Sequence, residues 1–214
     1  RFSFDMLGEA AITDDHASKY YKQYEEAIIA CGNSNNPSEK SISVKLSSLH
    51  PRYERNQLDV LHKELFPKTL ELVKLARENK VDICFDAEES DRLNLSFLIF
   101  KNIIDSNVID SNYTGFGFAV QAYQKRAIFL LEWLNKYLPE NNKKIKVRLV
   151  KGAYWDTEIK VSQESGYEDY PVFTKKFLTD ISYLACAHKL VENKYIYPQF
   201  ATHNAHAIAY INTL

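Results

Sequence analysis

The stretch Lys146-Val-Arg-Leu-Val-Lys-Gly-Ala-Tyr-Trp-Asp156 places Arg148, Lys151, the Gly152 backbone, Tyr154 and Trp155 in close succession. Two cations and two aromatic rings at the end of a strand suit a flat, electron-rich, anionic ligand. A salt-bridged strand end with two core aromatics is the alternative the stretch leaves open. Its first half alternates Ile145, Val147 and Leu149 with Lys146 and Arg148, a strand period. Gly152 then allows the chain to turn without a Cβ penalty.

Other chemistry-bearing residues fall at comparable places. Lys45 follows Ile42 and Val44, Asp86 follows Ile83 and Phe85, Gln121 follows Phe118 and Val120, and His203 and Asn204 close another apolar run. Lys45 and Asp86 stand at matching heights on neighbouring strands and can pair, either under a ligand or as a self-neutralising couple. Thr202-His-Asn-Ala-His206 offers two histidines without enough further ligands for a metal, so no metal is expected. Asp86-Ala-Glu-Glu-Ser90 suits either Mg²⁺ or a helix N-terminus. No GxGxxG, P-loop or GxSxG occurs, so a dinucleotide would not be held by a Rossmann fingerprint.

The elements that must position these groups alternate along the chain. Strands are expected over Phe2 to Glu9, Ser41 to Ser47, Val81 to Glu89, Gly115 to Tyr123, Ile145 to Gly152 and Tyr197 to Asn204. Between them lie helices from Thr13 to Cys31, Arg55 to Asn79 (broken or kinked before Pro67), Ser90 to Asp105, and Gln124 to Leu138. A short helix follows the fifth strand, a longer one runs to Asn193, and a last one begins near Ala205. Strict strand–helix alternation implies a parallel sheet. Each strand has one apolar set and one small or polar set, which suits a (β/α)8 TIM-like barrel, an α/β fold with its active site at the C-terminal strand ends. Only about the first six βα units are present, so residues 1–214 are expected to be a partial barrel domain of a longer protein.

Composition narrows the classes. Of the 214 residues, 45% are hydrophobic and 26% charged, and the net charge of -1 gives no basic excess for nucleic acid or an anionic membrane. The apolar runs are too short to span a bilayer, and no signal peptide is expected. Cys31, Cys84 and Cys186 have no CxxC spacing and read as buried thiols of a reducing, cytoplasmic compartment.

Taken together, Asp5-Met-Leu-Gly-Glu-Ala10, Val44-Lys-Leu-Ser47, His50-Pro-Arg-Tyr53, Asp86-Ala-Glu-Glu-Ser-Asp-Arg92, Gln121-Ala-Tyr-Gln-Lys-Arg126, Arg148-Leu-Val-Lys-Gly-Ala-Tyr-Trp-Asp156, Tyr170-Pro-Val-Phe-Thr174 and Tyr197-Pro-Gln-Phe-Ala-Thr-His-Asn204 resemble the proline dehydrogenase domain of the bifunctional bacterial proline-utilisation flavoenzymes. The resemblance implies a distorted (β/α) barrel with FAD. It implies hydride transfer from proline to flavin N5, giving pyrroline-5-carboxylate, and electron transfer to membrane quinone. An aldehyde dehydrogenase domain further along the longer chain would complete the conversion to glutamate, and peripheral contact of that protein with the inner membrane is open. It further implies FAD contacts from Gln121, Arg148, Lys151, Gly152, Ala153, Trp155, Thr174, Lys176, Thr202, His203 and Asn204. It implies a proline pocket lined by Lys45, Asp86, Leu149 and Tyr154, with Lys45, Asp86, Arg148 and Tyr154 as the catalytic set.

The family's consecutive arginines that clamp the proline carboxylate have no match in the 214 residues. Residues 1–214 alone are therefore expected to self-associate through open sheet edges and to be inactive. Two other classes stay open: a Schiff-base lyase using Lys151, and a structural fragment without activity.

Overall fold

The structure, a computed structural model, describes residues 2–110 and 112–214, with Ser38 described through its backbone. Six parallel strands follow the order β1-β2-β3-β4-β5-β6: Phe2–Asp5, Lys40–Val44, Asp82–Phe85, Phe116–Gln121, Ile145–Val150 and Ile196–Phe200. The helices are α1 Asp14–Gly32, α2 Leu58–Glu78, α3 Leu93–Asp105, α4 Ala127–Glu140, α5 Trp155–Glu164, α6 Lys176–Val191 and α7 Ala205–Ile211. This is the partial (β/α) barrel class that the alternation implied.

The chain divides into two compact units, residues 1–86 with 91–118, and 87–90 with 119–214. In the first unit, the apolar sets of β2 and β3 (Ile42, Val44, Ile83, Phe85) are almost wholly buried. The core continues as an aromatic cluster: Phe100 stacks on Phe118 with ring centres 4.8 Å apart and meets Phe85 at 5.6 Å. Such pairs add to the hydrophobic burial that holds α3 on the strands. In the second unit, Leu131 and Leu134 of α4, Val147 and Leu149 of β5, and Tyr183, Cys186 and Leu190 of α6 form the core.

Several strands are shorter than the sequence suggests. β1 ends at Asp5 rather than Glu9, because Gly8 (φ 134°) and Ala10 (φ 54°) turn the chain away from the ladder. A Cβ on Gly8 would meet the Tyr20 ring, so only glycine permits that turn. β2 ends at Val44, where a 3₁₀ turn over Leu46–Ser48 takes over. β3 and β6 likewise stop at Phe85 and Phe200, which leaves Asp86 and Thr202 to Asn204 on the following turns.

Pro67 does not break α2, which runs unbroken from Leu58 to Glu78. Pro67 lies on the exposed face, where water can serve the carbonyl that lost its donor, while Leu61, Leu65, Leu72 and Val73 anchor the opposite face. Pro139 similarly lies inside the last turn of α4 rather than ending it at Leu138. Cys84 and Cys186 are buried as expected, but Cys31 is only half-buried.

Candidate functional site

In the second unit, β5 carries Arg148 half-buried beside Gln199, its register partner on β6. The Gln199 Oε1 atom is buried with no donor among the described residues. Leu149, on the opposite face by strand alternation, is fully buried. Past Val150 the chain leaves the strand, and Gly152 takes φ 146°. Its missing Cβ lets the Tyr123 ring lie against the turn, since an added Cβ would stand 2.5 Å from Tyr123 Cδ2. Backbone bonds lock the same place: Tyr123 N donates to Lys151 O at 2.7 Å, and Phe173 N donates to Tyr123 O at 2.8 Å.

The turn is bound to β4 through one amide side chain. Gln121, buried at the end of β4, donates from Nε2 to Glu88 O at 2.8 Å. Its Oε1 accepts the Ala153 N–H at 3.1 Å. With a carbonyl on one side and an N–H on the other, the amide has a single sensible orientation.

Around this turn Tyr123, Lys151, Gly152, Trp155, Phe173, Thr174, Lys176 and Thr179 line an open concavity of about 400 Å³. Trp155 is half-exposed, and its Nε1 donates to Phe173 O at 3.0 Å. Lys151 is paired with Asp180, whose other oxygen takes Lys176 Nζ at 2.7 Å. Lys151 and then Lys176 hold the Asp180 carboxyl below its ordinary value of 3.8. A carboxyl lowered on folding adds stability above its unfolded pKa and loses it as pH falls through the folded one. The double bridge should therefore stay closed from neutrality down to about pH 4 and open only below that. Carboxyl-carbon NMR of Asp180 checks this, and a midpoint above 3.8 would contradict it.

Thr202 to Asn204 occupy the β6–α7 turn and do not line that concavity. Asn204 caps α7 by accepting Ala207 N at 2.9 Å, and Thr202 Oγ1 accepts Asn204 N at 3.0 Å. His203 is exposed. Tyr154 is half-buried at the N-cap position of α5.

In the first unit, Lys45 and Asp86 do meet, with Nζ to Oδ2 at 3.5 Å, but Lys45 lies closer to Asp5, at 3.1 Å. Burial alone would lower the Lys45 pKa; the charge of Asp86 and the hydrogen bond and charge of Asp5 outweigh it, so the ammonium is held above its ordinary value. This raised pKa keeps the lysine charged, and the pairs intact, until pH rises past 10.5.

Sequence reasoning missed Asp5, Asp180 and Tyr123. Only Asp180 carried a local signal, its spacing of four from Lys176 on one helix face. The helix expected from Ser90 starts later: the Ser90 hydroxyl donates to Glu158 Oε2 at 2.5 Å, and a 3₁₀ turn over Ser90–Arg92 precedes α3.

The donor set fits a flavin dinucleotide. Two lysines and two threonines can serve phosphates, the Trp155 indole offers an aromatic face, and the buried Gln199 oxygen can take a ring or amide N–H.

Comparison with known proteins agrees with the fold. The bifunctional protein PutA of Klebsiella aerogenes is 47% identical over 219 residues, covering 100% of this chain and 17% of that protein. PutA of Escherichia coli K12 is also 47% identical, with 100% and 16% covered. A crystal structure of a Bradyrhizobium japonicum Proline Utilization A mutant superposes with a TM-score of 0.93 at 45% identity, covering 99% of this chain and 22% of that one. Proline utilization A from Bdellovibrio bacteriovorus, inactivated by N-propargylglycine, superposes with a TM-score of 0.92 at 29% identity, covering 99% and 24%. This chain thus spans about a sixth of the curated relatives' length. The proline dehydrogenase family matches residues 1–214 from end to end, and the chain belongs to that family.

Proposed function

We propose that residues 1–214 are part of the proline dehydrogenase domain of a longer flavoprotein, which oxidises L-proline to pyrroline-5-carboxylate as the first step of proline catabolism to glutamate. The observation that carries this reading is the concavity beside the Gly152 turn, with Lys151, Lys176, Thr174 and Trp155 around it and the Gln121–Ala153 bond behind it. The cofactor is FAD, which when bound supplies the hydride acceptor at its N5.

The residues divide the work by their chemistry. Lys151, Thr174 and Lys176, with Thr202, His203 and Asn204, bind the phosphate and ribose parts. Gln121, Gly152, Ala153 and Trp155 hold the ring system. Arg148 supplies a permanent positive charge where negative charge develops. Lys45, Asp86 and Tyr154 receive proline, with Lys45 kept charged by its two carboxylates, while Leu149 packs in the core on the other face of β5 from Arg148.

The longer protein carries an aldehyde dehydrogenase domain and passes electrons to membrane quinone. It is cytoplasmic. No described helix is long and apolar enough to cross a membrane.

A coupling measurement tests the substrate roles. Double-mutant cycles on proline affinity at Lys45 and Asp86 should give about 1–3 kcal/mol of coupling. Additive effects would remove the pair from the proline pocket.

A Schiff-base lyase using Lys151 is the competing enzyme class. Such a lysine must attack as a neutral amine, whereas Lys151 is engaged as an ion pair with Asp180. Borohydride trapping of a carbonyl substrate on Lys151 would favour the lyase. Release of FAD from the denatured longer protein favours the dehydrogenase, and a colourless protein would overturn the proposal.

Residues 1–214 expressed by themselves should self-associate, retain little FAD and leave proline unoxidised. Among the described residues β1 is strand-paired with β2 alone, and Phe2, Phe4, Leu7 and Ile12 are exposed. Light scattering and a flavin spectrum on one sample decide it. A yellow monomer that oxidises proline would contradict it.

A further inference from the structure

Glu158 is a carboxylate that the proposed catalytic and binding set leaves unused, yet it is only 5% exposed. It sits in the first turns of α5 and clamps Ser90 with both oxygens: Oε1 accepts the Ser90 N–H at 2.6 Å, and Oε2 accepts its hydroxyl at 2.5 Å. The Tyr123 hydroxyl approaches Oε1 at 3.5 Å. Burial first, and the Glu158 charge second, push the Tyr123 phenol well above its ordinary pKa, so it stays a donor.

A buried carboxylate is costly unless fully engaged, and this one is engaged with the two segments that frame the Gly152 turn. Two residues before Ser90, the Glu88 carbonyl takes the Gln121 amide, whose other end holds Ala153 N. On the other side, the Tyr123 ring packs where a Gly152 Cβ would be. Arg126 fixes the Ser90 carbonyl at 2.6 Å, so the clamped segment is pinned at its N–H, hydroxyl and C=O.

We infer that Glu158 is a positioning residue for the flavin-facing turn. It acts through Ser90 and Glu88 on the Gln121 amide, and through Tyr123 on Gly152 and Ala153. This rests on the FAD reading above. Glutamine at 158 can keep the geometry, with its oxygen on the Ser90 N–H and its amide donating to a Ser90 hydroxyl that has turned to accept. Alanine cannot.

The test uses the full-length protein, with FAD affinity of the apoprotein and amide hydrogen exchange of residues 87–90 and 151–154 as readouts. Glu158→Ala should weaken FAD binding about tenfold or more and speed exchange in both segments before any flavin is added. Glu158→Gln should restore both to near wild type. If the alanine variant does not fold, Ser90→Ala carries the test, with FAD binding weakened about threefold. Alanine variants that bind FAD within about twofold of wild type, or a glutamine variant as impaired as alanine, would overturn the inference. A wild-type protein that binds no FAD would bring down the flavin reading and this inference with it. Wild-type binding with an indifferent Glu158→Ala would bring down the inference alone.

Discussion

Arg148→Ala in the full-length protein should slow flavin reduction by proline roughly a hundredfold or more, the usual loss when one preorganised electrostatic partner of a developing charge is removed. Arg148 is half-buried on β5, and its guanidinium is charged at any working pH. A cation there favours the charge-separated transition state more than the neutral ground state, so the loss should fall on the rate of reduction rather than on proline affinity alone. Stopped-flow reduction under anaerobic conditions separates the two. Lysine at 148 should recover only part of the rate, because a point charge does not reproduce the planar fork. A rate within a few-fold of wild type for the alanine variant would remove Arg148 from the reaction.

Gly152→Ala should destabilise the protein and disturb the flavin-facing turn. At φ 146° an L-residue is strained, which costs on the order of 1–3 kcal/mol by itself. The new methyl would also stand 2.6 Å from Tyr123 Cδ1. That ring has little room to retreat, because its own N–H and C=O are bonded to Lys151 and Phe173. Crowding of this kind adds about 1–3 kcal/mol. Denaturant unfolding should show the combined loss, and the flavin-to-protein ratio should fall with it. Wild-type values of both would mean that the turn relaxes freely and is not preorganised.

The strand–helix alternation was legible in the sequence because it is local, whereas the residues of the proposed site rest on the motif resemblance. Ile145, Val147 and Leu149 declare β5 by their period, and Gly152 declares its end. Strand ends were less legible. The strand-like composition continues through Met6 and Leu7, although the chain has already left the ladder after Asp5 and turns at Gly8 and Ala10. Pro67 misled for a related reason: its cost depends on which face of α2 it occupies, and that face is set by tertiary packing.

The partners that set the electrostatics were hidden by distance. Lys45 takes Asp5 from 40 residues away, Lys151 takes Asp180 from 29, and Ser90 takes Glu158 from 68. Each acid looks like an ordinary surface carboxylate until the fold brings it in. Lys151, in particular, reads as an available cation in the sequence and as half of an ion pair in the structure.

The central claim is that this family member oxidises proline with a bound flavin. Anaerobic titration of the purified full-length protein with L-proline, followed through the flavin's visible absorption, tests it most directly. The band should bleach in proportion to proline, with pyrroline-5-carboxylate formed one for one with flavin reduced. A flavin-loaded protein whose band is unchanged by saturating proline would contradict the account.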